Sequence, residues 1–307
     1  MIIANAILKK DGLAARRPHL PDKLKFIYNA VKTVKERKFM LIDFHVHVYP
    51  DKIADRAVNT LAAKIKDAYD LDQQPHYDGT AEGLKRLMAE DGVDISVIMP
   101  IALSVTNHIS INRFAEEITD DNIISFASLH PYQEDVDETL KDIASRGFRG
   151  IKLHPDYQGV YSDDEKCIAL VNKAADLGLH TVFHSGKDPG ILPPNRGAAA
   201  HMREMLKRVD QSMVTLAHMG AFWEWDEVES RLTDSRAYFD TAVVSGFMDI
   251  EQYRRIIDRH GADRIVFGSD LPWERPRDTL AFLKKAGLSD EEFELITHKN
   301  AERILGL

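Results

Sequence analysis

Residues 165–184 read EKCIALVNKAADLGLHTVFH, and they contain one complete repeating unit of the predicted fold. The first part, residues 165–177, has apolar side chains at helical spacing, and Gly178 follows where a helix commonly ends. The second part, residues 180–184, is a short run of the kind that forms a buried strand. The stretch therefore predicts a helix that leads directly into a strand of a parallel sheet.

The same alternation of short strands and longer helical patterns recurs from Met40 to the end of the chain. Eight strands are predicted, over residues 41–45, 95–99, 123–129, 150–153, 180–184, 213–218, 237–241 and 264–268. A helical tail is predicted over residues 290–305. This pattern indicates an α/β fold, a (β/α)8 TIM barrel. The segments after the strands, such as 50–80, 186–198 and 271–277, are predicted as long loops that form the active site.

The charge of the chain is unevenly distributed. Residues 1–39 contain ten Lys/Arg and three Asp/Glu, whereas the whole chain has a net charge of −9. We therefore predict a basic N-terminal extension over 1–39 and a single barrel domain over 40–307. The acidic barrel argues against nucleic acid as a partner, because phosphate contacts need clustered Lys and Arg. A small-molecule substrate is the expected partner, and analogy with other barrels allows a homodimer.

The sequence also predicts where the protein is located. It has no run of about 18 apolar residues that would span a membrane, and its N-terminus lacks the apolar core of a signal peptide. The single cysteine, Cys167, cannot form an internal disulfide. These features predict a cytoplasmic protein without a membrane partner.

Polar residues recur where the predicted strands end. In the segment Asp43-Phe44-His45-Val46-His47, residues two apart face the same side of a strand, so His45 and His47 can bind one metal ion. The fifth and sixth strands end at His184 and His218, and Asp270 follows the eighth. Since the carboxyl ends of barrel strands open into one mouth, these five side chains are candidate site residues.

The fourth strand is predicted to place a lysine inside the barrel. In Gly150-Ile-Lys-Leu-His, alternation directs Lys152 and His154 inward. Lys152 could carry a carbamate that bridges two metals, bind a substrate carboxylate, or pair with an acid such as Asp240. These three alternatives stay open, and both inward residues are candidate substrate contacts.

Seven short motifs occur in a characteristic order: residues 40–47 (MLIDFHVH), 150–155 (GIKLHP), 184–186 (HSG), 216–220 (LAHMG), 238–241 (YFDT), 264–273 (RIVFGSDLPW) and 300–307 (NAERILGL). In this order they resemble the amidohydrolase-related branch of the amidohydrolase superfamily, which includes aminocarboxymuconate-semialdehyde decarboxylase. The resemblance implies that His45, His47, His184 and Asp270 bind one divalent ion, with His218 near the bound water. Zinc suits these ligands, and manganese, iron and cobalt stay open.

This ligand set predicts a metal-dependent enzyme. A bound divalent ion lowers the pKa of water to around 7, and Asp270 would accept and return the proton while His218 stabilises negative charge. The main prediction is a hydrolase of an amide, ester or lactone. The alternative is a non-oxidative decarboxylase of an unsaturated or aromatic carboxylic acid, and a third is a binding barrel without turnover.

Further side chains in the predicted loops are candidate substrate contacts. Arg196, with Lys187 and Arg275, could bind a carboxylate, because guanidinium and ammonium groups pair with it. Trp273, with Trp223 and Trp225, could form the wall of an apolar pocket.

Overall fold

The computed structural model describes Phe39–Leu307, so the predicted extension lies outside the described residues except for Phe39. Residues 165–184 form the expected unit. Helix Glu165–Asp176 begins after Asp164, whose side chain accepts a hydrogen bond from the second residue of the helix. Gly178 then adopts a φ of 73°, which glycine adopts at little cost, and the chain enters strand His180–Phe183.

Eight parallel strands occur among residues 39–307, in the predicted order, and form two sheets. One sheet contains β1 to β3 and the other β4 to β8. The strands are β1 Ile42–Val46, β2 Ile95–Ile98, β3 Ile123–Ser125, β4 Gly150–Leu153, β5 His180–Phe183, β6 Val214–Leu216, β7 Tyr238–Asp240 and β8 Ile265–Val266.

Backbone bridges join the two sheets at both edges. Ala127, just after β3, pairs with Ile151 of β4, and its carbonyl oxygen accepts a 2.8 Å hydrogen bond from the N–H of Lys152. At the other edge, Val46 of β1 pairs with Leu271, which follows β8. The strands therefore close on themselves, and the molecule has the predicted TIM-barrel fold.

Helices follow the strands and pack against the outside of the barrel. Ile151 and Leu153 of β4 belong to the large apolar core, together with residues of helix Glu165–Asp176 such as Leu170. A second apolar cluster includes Ala301 and Leu305 of the C-terminal helix. The helices are α1 Ala54–Tyr69, α2 Ala81–Asp91, α3 His108–Glu117, α4 Val136–Ser145, α5 Pro155–Gln158, α6 Glu165–Asp176, α7 Ala199–Leu206, α8 Trp225–Arg231, α9 Ile250–His260, α10 Pro276–Lys285, α11 Asp290–Glu294 and α12 Asn300–Leu305.

The segment predicted as a long loop over 50–80 contains the 16-residue helix α1, so that prediction was wrong. The usual sequence signals are missing at both ends of this helix. It begins after Ile53, which provides no side-chain cap, and it ends at Asp70 with a φ of 53° rather than at a glycine. Among residues 39–307, no helix is long and apolar enough to cross a membrane.

Candidate metal centre and substrate cavity

Two side chains from the end of β1 meet one that follows β8, at the seam where these strands pair. Nε2 of His47 lies 3.0 Å from Oδ1 of Asp270, and Nε2 of His45 lies 3.5 Å from the same oxygen. Asp270 has a φ of 61°, which is uncommon for residues other than glycine and often marks functional sites. His45, His47 and Asp270 thus form one compact group of candidate metal ligands.

The pairing between β1 and β2 is irregular at this point. The register shifts between Asp43 and Val46, so simple alternation does not hold through the segment. The ring of Phe44 packs edge-on against Phe126 of the neighbouring apolar cluster, with 5.7 Å between ring centroids. The adjacent residue His45 still reaches the candidate metal group.

Hydrogen bonds define which ring nitrogen of each histidine carries the hydrogen. Nδ1 of His45 lies 2.8 Å from Oδ2 of Asp240, and Nδ1 of His47 lies 2.8 Å from the carbonyl oxygen of Met99. Nδ1 of His218 lies 3.0 Å from another backbone carbonyl oxygen. Carbonyl and carboxylate oxygens only accept, so Nδ1 donates in all three rings, which leaves Nε2 as the nitrogen that can bind a metal.

Nε2 of His47 faces a carboxylate oxygen, whereas Nε2 of His45 has the donor Nζ of Lys152 at 3.2 Å and Oδ1 of Asp270 at 3.5 Å. Nitrogen and oxygen atoms that converge in this way can be held together by a cation. Oδ1 of Asp270 is buried and makes no hydrogen bond within the described residues, yet Nε2 of His47 lies 3.0 Å from it. Burial, and next the charge of Lys152, lower the pKa of His45 well below its ordinary value. Its ring is therefore neutral, as a metal ligand must be. Imidazole nitrogens and a carboxylate oxygen fit a divalent transition metal.

A second group lies near the ends of β4 and β5. Nε2 of His154 is 3.1 Å from Oδ2 of Asp188, and Nε2 of His184 is 4.0 Å from the same oxygen. The two imidazole rings stack with 4.1 Å between their centroids. Nδ1 of His184 lies 3.1 Å from Nε2 of His218, while its own Nε2 is buried and makes no hydrogen bond to the part of the chain that the structure describes. These three residues could also hold a metal ion.

The structure thus brings together three of the four predicted ligands and places His184 in the neighbouring group. That all four share a single ion stays a prediction. Asp188, which the sequence interpretation did not select, is the acid of the second group. It lies four residues after His184, within the segment predicted as a loop, where spacing alone does not indicate the direction of a side chain.

Lys152 points toward the first group, as predicted from alternation. The lysine is 1 % exposed, and its Nζ lies 3.2 Å from Nε2 of His45. Burial lowers its pKa to about 8, although Asp240 and Asp270 oppose this change. The carboxylate of Asp240, proposed as an ion-pair partner of Lys152, instead contacts His45 and also accepts a 2.7 Å hydrogen bond from the N–H of His218.

A cavity of about 630 Å³ is lined by the residues of both candidate groups and by Lys152 and His218. Trp273 lines it, as predicted. Arg196 does not line it, and its guanidinium lies 3.8 Å from Asp156 instead, so the cavity does not support the prediction that Arg196 contacts the substrate. Arg275 is likewise engaged elsewhere, 2.6 Å from Asp91.

Two tyrosines that the sequence interpretation did not select also line the cavity. The hydroxyl groups of Tyr49 and Tyr157 have no hydrogen-bond partner in the part of the chain that the structure describes. Burial raises the pKa of both phenols well above the ordinary value. Both hydroxyls therefore keep their hydrogen and can donate it to a polar group of a bound molecule.

Solved structures of several enzymes have the same fold. The chain is 15% identical to 5-carboxyvanillate decarboxylase from Sphingomonas paucimobilis, with a TM-score of 0.63 over 88% of this chain and 100% of that chain. It is 16% identical to a dihydroxybenzoic acid decarboxylase from Polaromonas with bound manganese and 2-nitroresorcinol, with a TM-score of 0.62 over 88% and 97%. These similarities show the fold.

A hydrolase is also among the similar structures. A probable 2-pyrone-4,6-dicarboxylic acid hydrolase from Acinetobacter baumannii, with bound citric acid, is 14% identical, with a TM-score of 0.59 over 87% of this chain and 99% of that chain. Among curated proteins, no sequence matches this one.

A family model described as Amidohydrolase matches residues 42–307. This range includes both groups of candidate ligands, Lys152 and the strands that carry them. The chain therefore belongs to the amidohydrolase family, and the predicted membership in this family of metal-dependent enzymes is confirmed.

Proposed function

We propose that the protein is a metal-dependent, non-oxidative decarboxylase of an unsaturated or aromatic carboxylic acid. The observation that carries this proposal is the buried cation Lys152, which lies beside the candidate metal group in a cavity whose remaining wall is mostly apolar. Such a cavity binds a carboxylate by charge while it excludes the water that would solvate it. Decarboxylases of aromatic acids with the same fold support this choice over hydrolysis.

The residues that would hold the metal are His45, His47 and Asp270, with His184 completing the set. A bound divalent ion would polarise a substrate oxygen and lower the pKa of a coordinated water. Zinc remains our first expectation from the nitrogen-rich ligands, and manganese is the alternative because a similar structure contains it.

The side chains around this site have distinct proposed roles in the reaction. Lys152 binds the substrate carboxylate, and Tyr49 and Tyr157 donate hydrogen bonds to further oxygens. When the bond to the carboxyl carbon breaks, its electron pair stays on the substrate carbon and carbon dioxide leaves. Asp270 transfers to that carbon a proton that it has taken from water or from a substrate hydroxyl. His218 stabilises negative charge on the substrate oxygen.

Hydrolysis is the second candidate, and it rests on Asp270. Burial alone would raise the pKa of this carboxyl, but the adjacent His45 and His47 lower it below its ordinary value. Asp270 is thus ionised and can accept a proton from water, as hydrolysis of a lactone, ester or amide requires. A probable 2-pyrone-4,6-dicarboxylic acid hydrolase occurs among the similar structures.

The two functions are separated by what the protein releases from two panels of substrates. Protein loaded separately with zinc and manganese is incubated with hydroxybenzoic and muconic acids, and carbon dioxide is measured. Acid release is measured from lactones, esters and amides. We expect carbon dioxide from the first panel only, and turnover confined to the second panel would overturn the proposal.

Two variants test the assigned residues within the same assay. Asp270→Asn should abolish carbon dioxide release by removing both a ligand and the proton carrier. Lys152→Met should raise the KM for carboxylic acids. Lys141→Met, at an exposed position on α4, is the matched control and should leave both values unchanged. If neither panel is converted by the metal-loaded protein, a barrel that only binds its ligand becomes the better description.

A further inference from the structure

The cavity is larger than a single aromatic acid requires. Its volume is about 630 Å³, whereas a cavity of about 150 Å³ lined by Leu, Ile and Phe accommodates a benzene molecule. The candidate metal ligands and Lys152 form one contiguous polar group in its wall. Most of the volume is therefore left for a part of the substrate that does not react.

Helix α1 forms a long apolar wall of this cavity. Ala57, Leu61 and Ile65 occupy successive i and i+4 positions, so they share one face of the helix, and all three line the cavity. With a rise of 1.5 Å per residue, this stripe extends for about 12 Å. The wall is long enough for an alkyl chain or a second ring.

Other apolar residues extend the wall to the solvent. Ile111 and Phe114 of α3 line the same cavity. Leu103 and Ile53 also line it and are 53 % and 38 % exposed. Since large apolar side chains at the edge of a cavity favour apolar ligands, a tail can continue beyond the enclosed part.

The charges along this wall restrict the tail further. Arg56 and Lys64, both on α1, line the cavity, and neither makes an ion pair with another residue among 39–307. Their aliphatic stems can contact an apolar ligand while the charged ends stay in water. A positively charged tail would be repelled by both side chains.

We propose that the substrate is amphiphilic, with a carboxylic acid head at the polar group and an apolar tail without positive charge along α1. The identity of the head rests on the proposed function. The binding site for the tail rests on the shape and composition of the cavity, and it can be tested without turnover.

The first test measures binding of linear hydroxamic acids, from acetohydroxamic to decanohydroxamic acid, to the metal-loaded full-length protein by calorimetry. Hydroxamates chelate divalent metals and cannot lose carbon dioxide, so their binding does not depend on the reaction. We expect Kd to fall by about fourfold for each methylene group that enters the cavity. A Kd that does not change with chain length, or no binding by any member of the series, would overturn the proposal.

A variant that fills the tail site provides a second test. Ala57→Phe should reduce the preference for decanohydroxamic over acetohydroxamic acid at least tenfold, while the Kd of acetohydroxamic acid stays unchanged. Ala63→Phe, on the exposed side of the same helix, is the control and should keep the preference. If Ala57→Phe does not fold, Leu61→Asn tests the same wall with a polar group. An unchanged preference in the folded variant would contradict the tail site.

The proposed reaction of the head and the proposed binding site for the tail can be tested separately. A series of 4-alkyl-2-hydroxybenzoic acids, assayed for carbon dioxide release, should show a KM that falls as the alkyl group grows. If no acid is decarboxylated but hydroxamate binding follows chain length, the proposed reaction fails and the tail site stands. If acids are decarboxylated with a KM independent of chain length, the reaction stands and the tail site fails.

Discussion

Asp240 connects two site histidines through one carboxylate, since Oδ2 accepts from Nδ1 of His45 and Oδ1 accepts from the N–H of His218. Replacement by asparagine offers a hydrogen donor where His45 needs an acceptor. We expect Asp240→Asn to weaken metal binding by about 10- to 100-fold, because such partners orient the ligand and fix its tautomer. Competition with a coloured chelator measures this affinity. Asp121→Asn, at an exposed position, is the control, and equal affinities in the two variants would contradict the role.

The raised pKa of Glu274 predicts how the free energy of unfolding depends on pH. Burial raises the pKa of this carboxyl to about 7, although hydrogen bonds from Thr279 and Ser245 oppose the change. The folded protein thus holds the proton more tightly than the unfolded chain, where the pKa is 4.5. The stabilising contribution of protonated Glu274 to the free energy of unfolding is fully present below pH 4.5 and is lost as pH rises through about 7.

Urea unfolding at several pH values tests the predicted loss of stability with rising pH. The free energy of unfolding of the wild type should decrease between about pH 5 and about pH 8. In Glu274→Gln this decrease should be smaller by up to roughly 3 kcal/mol. Asp43, whose pKa burial also raises to about 7, contributes the same trend in both proteins, so their difference isolates Glu274. Glu138→Gln, at an exposed position, should follow the wild type. Parallel curves for the wild type and Glu274→Gln would show that the prediction is wrong.

Among the elements, α1 shows the limit of prediction from local sequence. Only Ala54, Val58 and Ile65 of this helix are buried, because much of its apolar face lines the cavity rather than the core. Together with the missing signals at its ends, this explains why 50–80 was interpreted as a loop. By contrast, α6 has a capping aspartate and a glycine after its end, and its position was predicted closely.

The end of α1 offers a test of helix termination. Asp70 adopts a φ of 53° and is exposed, and glycine adopts this conformation with less strain. We expect Asp70→Gly to raise the free energy of unfolding by about 0.5–1 kcal/mol. Ala63→Gly, in the exposed middle of the same helix, should lower it by about 1 kcal/mol. Urea unfolding measures both, and destabilisation by both glycines would contradict the assignment of the helix end.

At the scale of the whole molecule, the barrel and the mouth residues were predictable because strand order fixes where carboxyl ends meet. This rule places His45, His47 and Asp270 together from the sequence alone, and the structure groups these three residues. The grouping of His184 with His154 and Asp188 depends on ring rotation and on the path of the following segment. Neither is encoded in a short motif, and for the same reason the sequence does not reveal that Arg196 lies outside the cavity wall.

The predicted domain boundary at Met40 can be tested by truncation. The strand pairs and bridges that close the barrel lie within residues 42–271, so we expect a chain that begins at Met40 to fold and bind metal. It would lose the edge-on contact of Phe39 with Phe293, whose centroids are 4.9 Å apart, at a cost of about 0.5–1.5 kcal/mol beyond buried area. Circular dichroism and metal analysis check this, and an insoluble or metal-free product would show that the N-terminal residues are integral.

The seam between β1 and β8 determines when the proposed metal centre can come into existence. His45 and His47 leave the ribosome early, but Asp270 follows only after the last strand has been synthesised. We therefore expect a nascent polypeptide to carry His45 and His47 without their third proposed ligand, and loading of this group to wait until the barrel closes. Metal binding at this group is then expected late in biosynthesis, and polypeptides that end before Asp270 should lack the metal there.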